Sequence, residues 1–340
     1  MNKYPLVNIC IPTYNVQDTI KDSLKSIISQ SYKNILITIV DNSSNDRTLQ
    51  IIQSFKSKKI KVFKFYKNVS AEENFSRCIS LSKGEYTAIY HSDDIYNRNI
   101  VADQVCFLEK NKGTGAVFTE GQLINEKRNL ISKFNVPLKK KSDNFNYNYN
   151  EIIYEISKNY NFFMCPTAMV RTKIYKKEIK YFNHKKFGNS ADLDVWLRIS
   201  NNHSVGIIKK NLISYRISQK QQTIQTSSNS QLSPFFKVLK FHMYKFKTNN
   251  IRLVRKNLAI LELYFYLFLL IKSLKQYNYK LQKKLYNIYL NRKKNMSFKI
   301  FSSKKGIYIV VIDLLVNLTS KINFINKIII NFLYVKFFKI

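Results

Sequence analysis

Two adjacent carboxylates, Asp93 and Asp94, follow a strand-forming run, Tyr86-Thr87-Ala88-Ile89-Tyr90, after His91 and Ser92. At the carboxyl end of a buried strand such a pair loses hydration and repels itself unless a cation or a cluster of donors compensates. Mg²⁺ or Mn²⁺ does this well, because both favour oxygen ligands shared between one or two carboxylates and substrate phosphates. The stretch therefore reads as a diphosphate and metal site. It reads alternatively as the cap of a helix beginning near Asn99, or as a polar turn. Two earlier clusters end apolar runs in the same way: Pro12-Thr13-Tyr14-Asn15 after Val7 to Ile11, and Asp41-Asn42-Ser43-Ser44-Asn45-Asp46 after Ile35 to Val40.

The intervening segments supply the scaffold. Ile20, Leu24, Ile27 and Ile28 share one face of a helix opened by Asp18. A second helix is expected from Thr48 to Phe55, and a third strand from Ile60 to Tyr66. Ser70 and Glu73 stand three apart in a capping-box pattern, opening a helix to about Lys83 that Gly84 ends. After the Tyr86 to Tyr90 strand comes a helix from about Asn99 to Asn111. Strand and helix alternate four times with short connections, the sequence form of a parallel α/β sheet. In such sheets ligands bind beyond the carboxyl ends of the strands, so the three polar clusters belong to one edge and together make a nucleotide crevice. A further strand is expected at Gly115 to Thr119, and Lys139-Lys140-Lys141-Ser142, with its sequel to Tyr149, reads as an exposed loop or lid over the site.

Charge is the unusual bulk property. The 340 residues hold 57 Lys and Arg against 21 Asp and Glu, a formal net charge of +36. Residues 221–340 hold 22 basic and two acidic residues, Glu262 and Asp313. Such an excess suits nucleic acid, anionic headgroups or an anionic substrate, or reflects biased codon usage. No nucleic-acid-binding motif is present. Apolar stretches at Leu258 to Ile271, Ile307 to Val316 and Ile328 to Phe338 are too short to span a bilayer comfortably. With Lys and aromatic residues interleaved, they predict peripheral attachment to a membrane surface, or a helical subdomain that packs internally or dimerises. Cys10, Cys78, Cys106 and Cys165 have no ligand or disulfide spacing and are expected to pack as small apolar residues. A first strand starting at Leu6 leaves no room for a signal peptide, which predicts cytoplasmic residence.

The ordered motifs resemble family 2 glycosyltransferases, the inverting enzymes of GT-A fold. They are Ile11-Pro12-Thr13-Tyr14-Asn15, Val40 to Asp46, Gly84-Glu85-Tyr86 leading to Ser92-Asp93-Asp94, Pro166-Thr167-Ala168-Met169-Val170-Arg171, Ala191 to Arg198, and Tyr215-Arg216. The resemblance covers roughly residues 6 to 218. It implies a GT-A domain over 1–233, with a Rossmann-like, mostly parallel sheet, a nucleotide-binding half to about 115 and an acceptor half from about 116. A basic, mostly helical extension follows over 234–340.

The resemblance also implies roles. Pro12, Thr13, Tyr14, Asn15, Asp41, Ser44 and Asp93 line the donor nucleotide pocket, with Asp41 accepting a hydrogen bond from a uracil imide. Asp94 and Asp93 hold a divalent metal, Mn²⁺ or Mg²⁺. His91 stands where the family usually has an acidic residue and is expected to pack or hydrogen-bond locally rather than ligate metal. Asp192 is the expected general base, with Asp194 second; Ala191 replaces a frequently acidic neighbour. In a helix the two carboxylates point about 160° apart, so only one faces the sugar. Both also read as N-terminal charges of that helix. Arg171 and Arg216 are expected at phosphate or acceptor, or else as buried ion-pair partners. The implied activity is transfer of a sugar from a nucleotide donor, a UDP-sugar, to a saccharide or lipid-linked saccharide acceptor with inversion, in surface polysaccharide or glycoconjugate synthesis. Nucleotidyl transfer onto a sugar phosphate would use the same crevice, but no Gly-rich basic loop follows the first strand. A nucleic-acid-binding protein is motivated by charge alone.

Overall fold

The computed structural model describes residues 4–138, 146–218, 233–275 and 279–294. Ten strands form one sheet: β1 (Val7–Thr13), β2 (Ile35–Asp41), β3 (Ile60–Lys64), β4 (Tyr86–Ile89), β5 (Ile95–Tyr96), β6 (Thr114–Ile124), β7 (Leu130–Phe134), β8 (Asn146–Tyr147), β9 (Met169–Arg171) and β10 (Ser204–Arg216). Their order is β3-β2-β1-β4-β9-β6-β10-β5, with β7 beside β6 and β8 beside β10. Strands β1 to β4 run parallel, as do β6 and β10, whereas β9 runs antiparallel to both β4 and β6.

Every residue of β1 is buried, as a strand covered on both faces requires. Val7, Ile9 and Ile11 pack with Leu24 and Ile27 of α1 (Ile20–Ile28) and with Val101, Val105 and Leu108 of α4 (Ile100–Lys110). On the opposite face, Cys10 Sγ lies 3.6 Å from the Cys78 carbonyl of α3 (Ala71–Leu81). Asn8, buried between strands, donates to Leu36 O and Thr38 Oγ1 and accepts from the Lys83 N–H. Gly84 has φ +79, and a Cβ there would stand 2.6 Å from the Leu6 carbonyl oxygen, so the turn from α3 into β4 requires glycine.

Several expectations shift. The strand expected at Gly115 to Thr119 runs to Ile124, because its second half pairs with β7 in a hairpin. Of the expected exposed loop, residues 139–145 lie outside the described residues, but Asn146 and Tyr147 pair with β10. Asn148 and Glu151 form a two-way capping box at the start of α5 (Tyr149–Asn159). At α3, Ser70 accepts from the Glu73 N–H.

The chain divides into two compact units, residues 1–227 with 237–247, and 228–236 with 248–340. This differs from the expected boundary at 233/234. Residues 237–247 group with the first unit because His242, in the helix Pro234–Lys245, is buried against Asp194, and its carbonyl accepts from Tyr149 Oη. In the second unit the helices Ile251–Lys275 and Tyr279–Lys294 bury Leu263, Leu267, Leu270, Leu285 and Tyr289, and Arg292 pairs with Glu262. The stretch Leu258 to Ile271 is thus part of a packed helix. Ile307 to Val316 and Ile328 to Phe338 lie outside the described residues. Among the described residues no helix is long and apolar enough to cross a membrane.

Candidate active site

The parallel register pairs Thr13 with Asp41 at the carboxyl ends of β1 and β2. Thr13 Oγ1 donates to Asp41 Oδ1 at 3.2 Å, Ser44 Oγ to the same oxygen at 2.6 Å, and the Ser44 N–H to Oδ2 at 3.0 Å. Ser44 Oγ in turn accepts from the Asn15 N–H, and Asn15 Oδ1 accepts from the Asn45 N–H. Asn15 and Ser43 both adopt left-handed backbone, φ 50 and 68, a conformation in which Asn is enriched. The two loops are thereby stitched into one wall. Asp41 is fully buried within it, Pro12 and Thr13 are buried beside it, and Tyr14 is 47% exposed. Ser44 serves this wall through its hydroxyl.

Beyond β4, Asp94 is fully buried. Its Oδ1 accepts from the Arg216 N–H at 2.9 Å, while Oδ2 has no hydrogen-bond partner. Arg216 Nε donates to the Asp93 carbonyl at 2.8 Å and Nη1 to the Glu126 carbonyl, and Nη2 lies 3.6 Å from Asp22 Oδ2. The buried Arg216 thus holds the turn that carries the two carboxylates. Burial pushes the Asp94 carboxyl well above the usual range, and Asp93 pushes it further. His91 stacks on Phe75, ring centroids 5.5 Å apart, with Nδ1 4.0 Å from Asp94 Oδ2. Ligand atoms of His91, Asp93 and Asp94 lie within 4.8 Å of one another. A buried carboxylate with an unpartnered oxygen and two ligand-bearing neighbours fits a divalent cation. The packing expected of His91 is present, but so is a place in the cation cluster.

Asp192 and Asp194 stand in the first turn of α8 (Ala191–Asn202) and face apart. Asp194 is buried, its Oδ2 accepting from Arg198 Nε at 3.0 Å and its Oδ1 bonded to His242 Nε2 at 2.8 Å. With both oxygens engaged, its second-choice role as base is set aside. Asp192 is part-exposed, and its carboxyl is raised to about 6, chiefly by burial and further by Glu72. Cys165 and Tyr215 feel the charge of both Asp94 and Asp192, and burial pushes both well above their ordinary values. Cys165 and Tyr215 thus lie within electrostatic reach of both Asp94 and Asp192.

Arg171 does not reach these carboxylates. It lies opposite Tyr86, at the start of β4 and the far edge of the sheet. Its guanidinium donates to the carbonyls of Thr114, Leu108 and Asn111 and to Tyr86 Oη. The phosphate or acceptor role expected of it is replaced by a structural one. Cys165 and Glu72 are neighbours of Asp192 in electrostatic terms that the sequence did not mark. Cys165 directly precedes the Pro166-Thr167 motif, and Glu72 lies beside the capping pair, so adjacency was the available signal. Cys106, expected to be packed, is exposed.

A family model described as glycosyl transferase family 2 matches residues 8–178. An uncharacterised glycosyltransferase of Methanocaldococcus jannaschii is 29% identical over 243 residues, 70% of this chain and 79% of the relative. The UDP-Glc:α-D-GlcNAc-diphosphoundecaprenol β-1,3-glucosyltransferase WfgD of Escherichia coli is 25% identical over 236 residues, 69% of this chain and 85% of the relative. Among solved structures, S. aureus TarS 1–349 in complex with UDP-GlcNAc superposes with a TM-score of 0.57 at 16% identity, covering 86% of this chain and 93% of that one. The mannosyltransferase PcManGT of Pyrobaculum calidifontis, in complex with GDP-Man and Mn²⁺, gives 0.55 at 12% identity over 92% and 87%. The fold is that of the GT-A glycosyltransferases.

Proposed function

The chain belongs to glycosyl transferase family 2 and is a glycosyltransferase; we propose that it moves a sugar from a UDP-sugar to a saccharide, lipid-linked through a diphosphate, with inversion at the anomeric carbon. The observation that supports the reading is that the Asp41 wall and the Asp93–Asp94 turn both lie at the carboxyl ends of parallel strands, with Asp192 in electrostatic reach of the same Tyr215 as Asp93 and Asp94. In this reading the Asp41 carboxylate accepts the uracil imide N–H, and the exposed Tyr14 ring covers the base. Asp94 and Asp93 hold the divalent cation, which when bound offsets diphosphate charge. Asp192 takes the proton of the acceptor hydroxyl as its oxygen attacks the anomeric carbon and the nucleoside diphosphate departs. A carboxyl near 6 is matched to that task at neutral pH. The donor class and the diphosphate-linked acceptor are supported by what WfgD is named to act on, and a metal by the Mn²⁺ of the PcManGT complex.

The second unit is read as attaching the enzyme to the cytoplasmic face of a membrane, where such an acceptor is presented. Its support is the scarcity of acidic residues in 221–340 and the exposed Lys283 and Lys284. Among the described residues, Leu263, Leu267, Leu270 and Leu285 pack internally, and the attachment force is read as charge, so flotation with phosphatidylglycerol vesicles should succeed at low salt and fail at high salt.

Incubation with UDP-Glc, UDP-GlcNAc and GDP-Man in the presence of Mn²⁺ and a diphosphate-linked acceptor tests the main reading. Release of UDP is expected from at least one UDP-sugar. Turnover of GDP-Man alone would overturn the donor class, and retention at the anomeric carbon would overturn the assignment of Asp192.

A further inference from the structure

We propose that His91 supplies a ring nitrogen to the divalent cation held by Asp93 and Asp94, and that this biases the site toward Mn²⁺ and Co²⁺ over Mg²⁺. The inference rests on the metal reading above.

Stacking on Phe75 fixes the plane of the imidazole but uses neither nitrogen. The backbone is fixed as well, since the His91 N–H donates to Tyr96 Oη at 2.6 Å and its carbonyl accepts from Ser23 Oγ at 3.1 Å. Nε2 is buried without a hydrogen-bond partner. Nδ1, at 4.0 Å from Asp94 Oδ2, is too distant for a hydrogen bond. That separation instead suits two ligands of one ion, because bonds of about 2.1 Å place ligand atoms roughly 3 Å apart when adjacent and roughly 4.2 Å when opposite. Asp94 Oδ2 is also buried and unpartnered, and ligand atoms of His91, Asp93 and Asp94 all lie within 4.8 Å of one another. A single cation engages Nδ1 and Asp94 Oδ2 together, and Nε2 then carries the proton of the neutral ring. A hydrogen bond between Nδ1 and Oδ2 would require the turn to tighten against Arg216, which already anchors Oδ1 and the Asp93 carbonyl.

The chemical consequence follows from ligand type. Carboxylate, phosphate and water suit Mg²⁺, whereas imidazole favours the later first-row ions in the order Mn²⁺ below Co²⁺. A neutral imidazole in place of a third carboxylate also leaves the bound ion less neutralised, and therefore a stronger partner for a diphosphate.

The full chain, with and without UDP, is titrated with Mn²⁺, Co²⁺ and Mg²⁺ by calorimetry, beside His91→Ala and His91→Asp, with thermal melts to verify folding. Electron spin-echo modulation of bound Mn²⁺ is recorded with natural-abundance and ¹⁵N-histidine protein. We expect nitrogen modulation that changes on ¹⁵N labelling and disappears in both variants. Co²⁺ affinity should fall on the order of 10- to 100-fold in His91→Ala, as when metal-site supports are removed, and His91→Asp should restore Mg²⁺ binding relative to Co²⁺. Metal binding without nitrogen modulation, or equal losses for all three ions, overturns the role of His91. Absence of any metal binding by the wild type, with UDP present, instead overturns the metal reading itself.

Discussion

Replacing Asp192 by Asn should abolish sugar transfer and, above neutral pH, make the fold more stable. Burial and Glu72 hold this carboxyl at about 6, against an ordinary 3.8. Each pH unit of such a displacement corresponds to about 1.4 kcal/mol, so the native state disfavours the charged form by roughly 3 kcal/mol. Between these two values the native state binds more protons than the unfolded chain. Stability therefore falls as pH rises through the window, and the whole penalty is present above about 6. The place of Asp192 in the first turn of α8 opposes this, since the helix dipole favours an anion there by about 0.3–1 kcal/mol. The net gain for Asp192→Asn is then about 2 kcal/mol at pH 8 and close to zero at pH 4. In a unit of this size that is a rise in melting temperature of about 4–8 °C. Thermal unfolding of both proteins at the two pH values, with nucleotide affinity measured alongside, is the assay. A variant less stable than the wild type at pH 8, or one whose affinity for UDP falls together with transfer, refutes the picture of a strained base and makes Asp192 a structural residue.

Glu72→Gln removes a charge that raises Asp192, so the acid limb of the kcat profile should move to lower pH; an unmoved limb would leave burial as the sole cause. Arg216→Lys gives up the Nε and Nη1 donations to Asp93 and Glu126, which an ammonium cannot reproduce as a fork. Urea unfolding should show a loss of about 2–4 kcal/mol, and Mn²⁺ affinity should fall with it. Gly84→Ala meets both the positive φ and the Leu6 carbonyl, and a loss of about 2 kcal/mol or more is expected by the same measurement. Asp194→Asn strips the charge from between Arg198 and His242. It should cost about 3 kcal/mol and lower kcat while leaving the acid limb near 6, which separates the anchor of α8 from its base.

The Asp41 wall and the Asp93–Asp94 turn were legible as structure because they depend on local patterns alone. Alternation of strand and helix forces parallel neighbours, and parallel neighbours place every strand-to-helix turn on one edge. The helical spacing that sets Asp192 against Asp194 was readable for the same reason. The resemblance put Asp192 ahead of Asp194, but the contact that engages Asp194 was not readable, because its partner, His242, lies 48 residues further along in a helix with no resemblance to guide it. For His91 the sequence shows a departure from a carboxylate, but neither its stacking on Phe75 nor the 4.0 Å approach of Nδ1 to Asp94 Oδ2.

The largest discrepancy comes from three residues. Met169-Val170-Arg171 is too short to announce a strand direction, yet β9 enters the sheet antiparallel, pairing Met169 with Ala88 and Arg171 with Tyr86. Running that way, the chain passes from the carboxyl edge of β4 toward its amino edge. The residues just before β9 are therefore delivered to the carboxyl edge of β4, which is how Cys165 comes to feel both Asp192 and Asp94. The residue at its end is carried away, and Arg171 closes the carbonyls of Leu108 and Asn111 behind α4 instead of meeting phosphate. A parallel β9 would have exchanged the two outcomes, placing the arginine at the crevice and the cysteine behind the sheet. The motif that contains both residues is one stretch of sequence, and one strand direction divides it between site and scaffold.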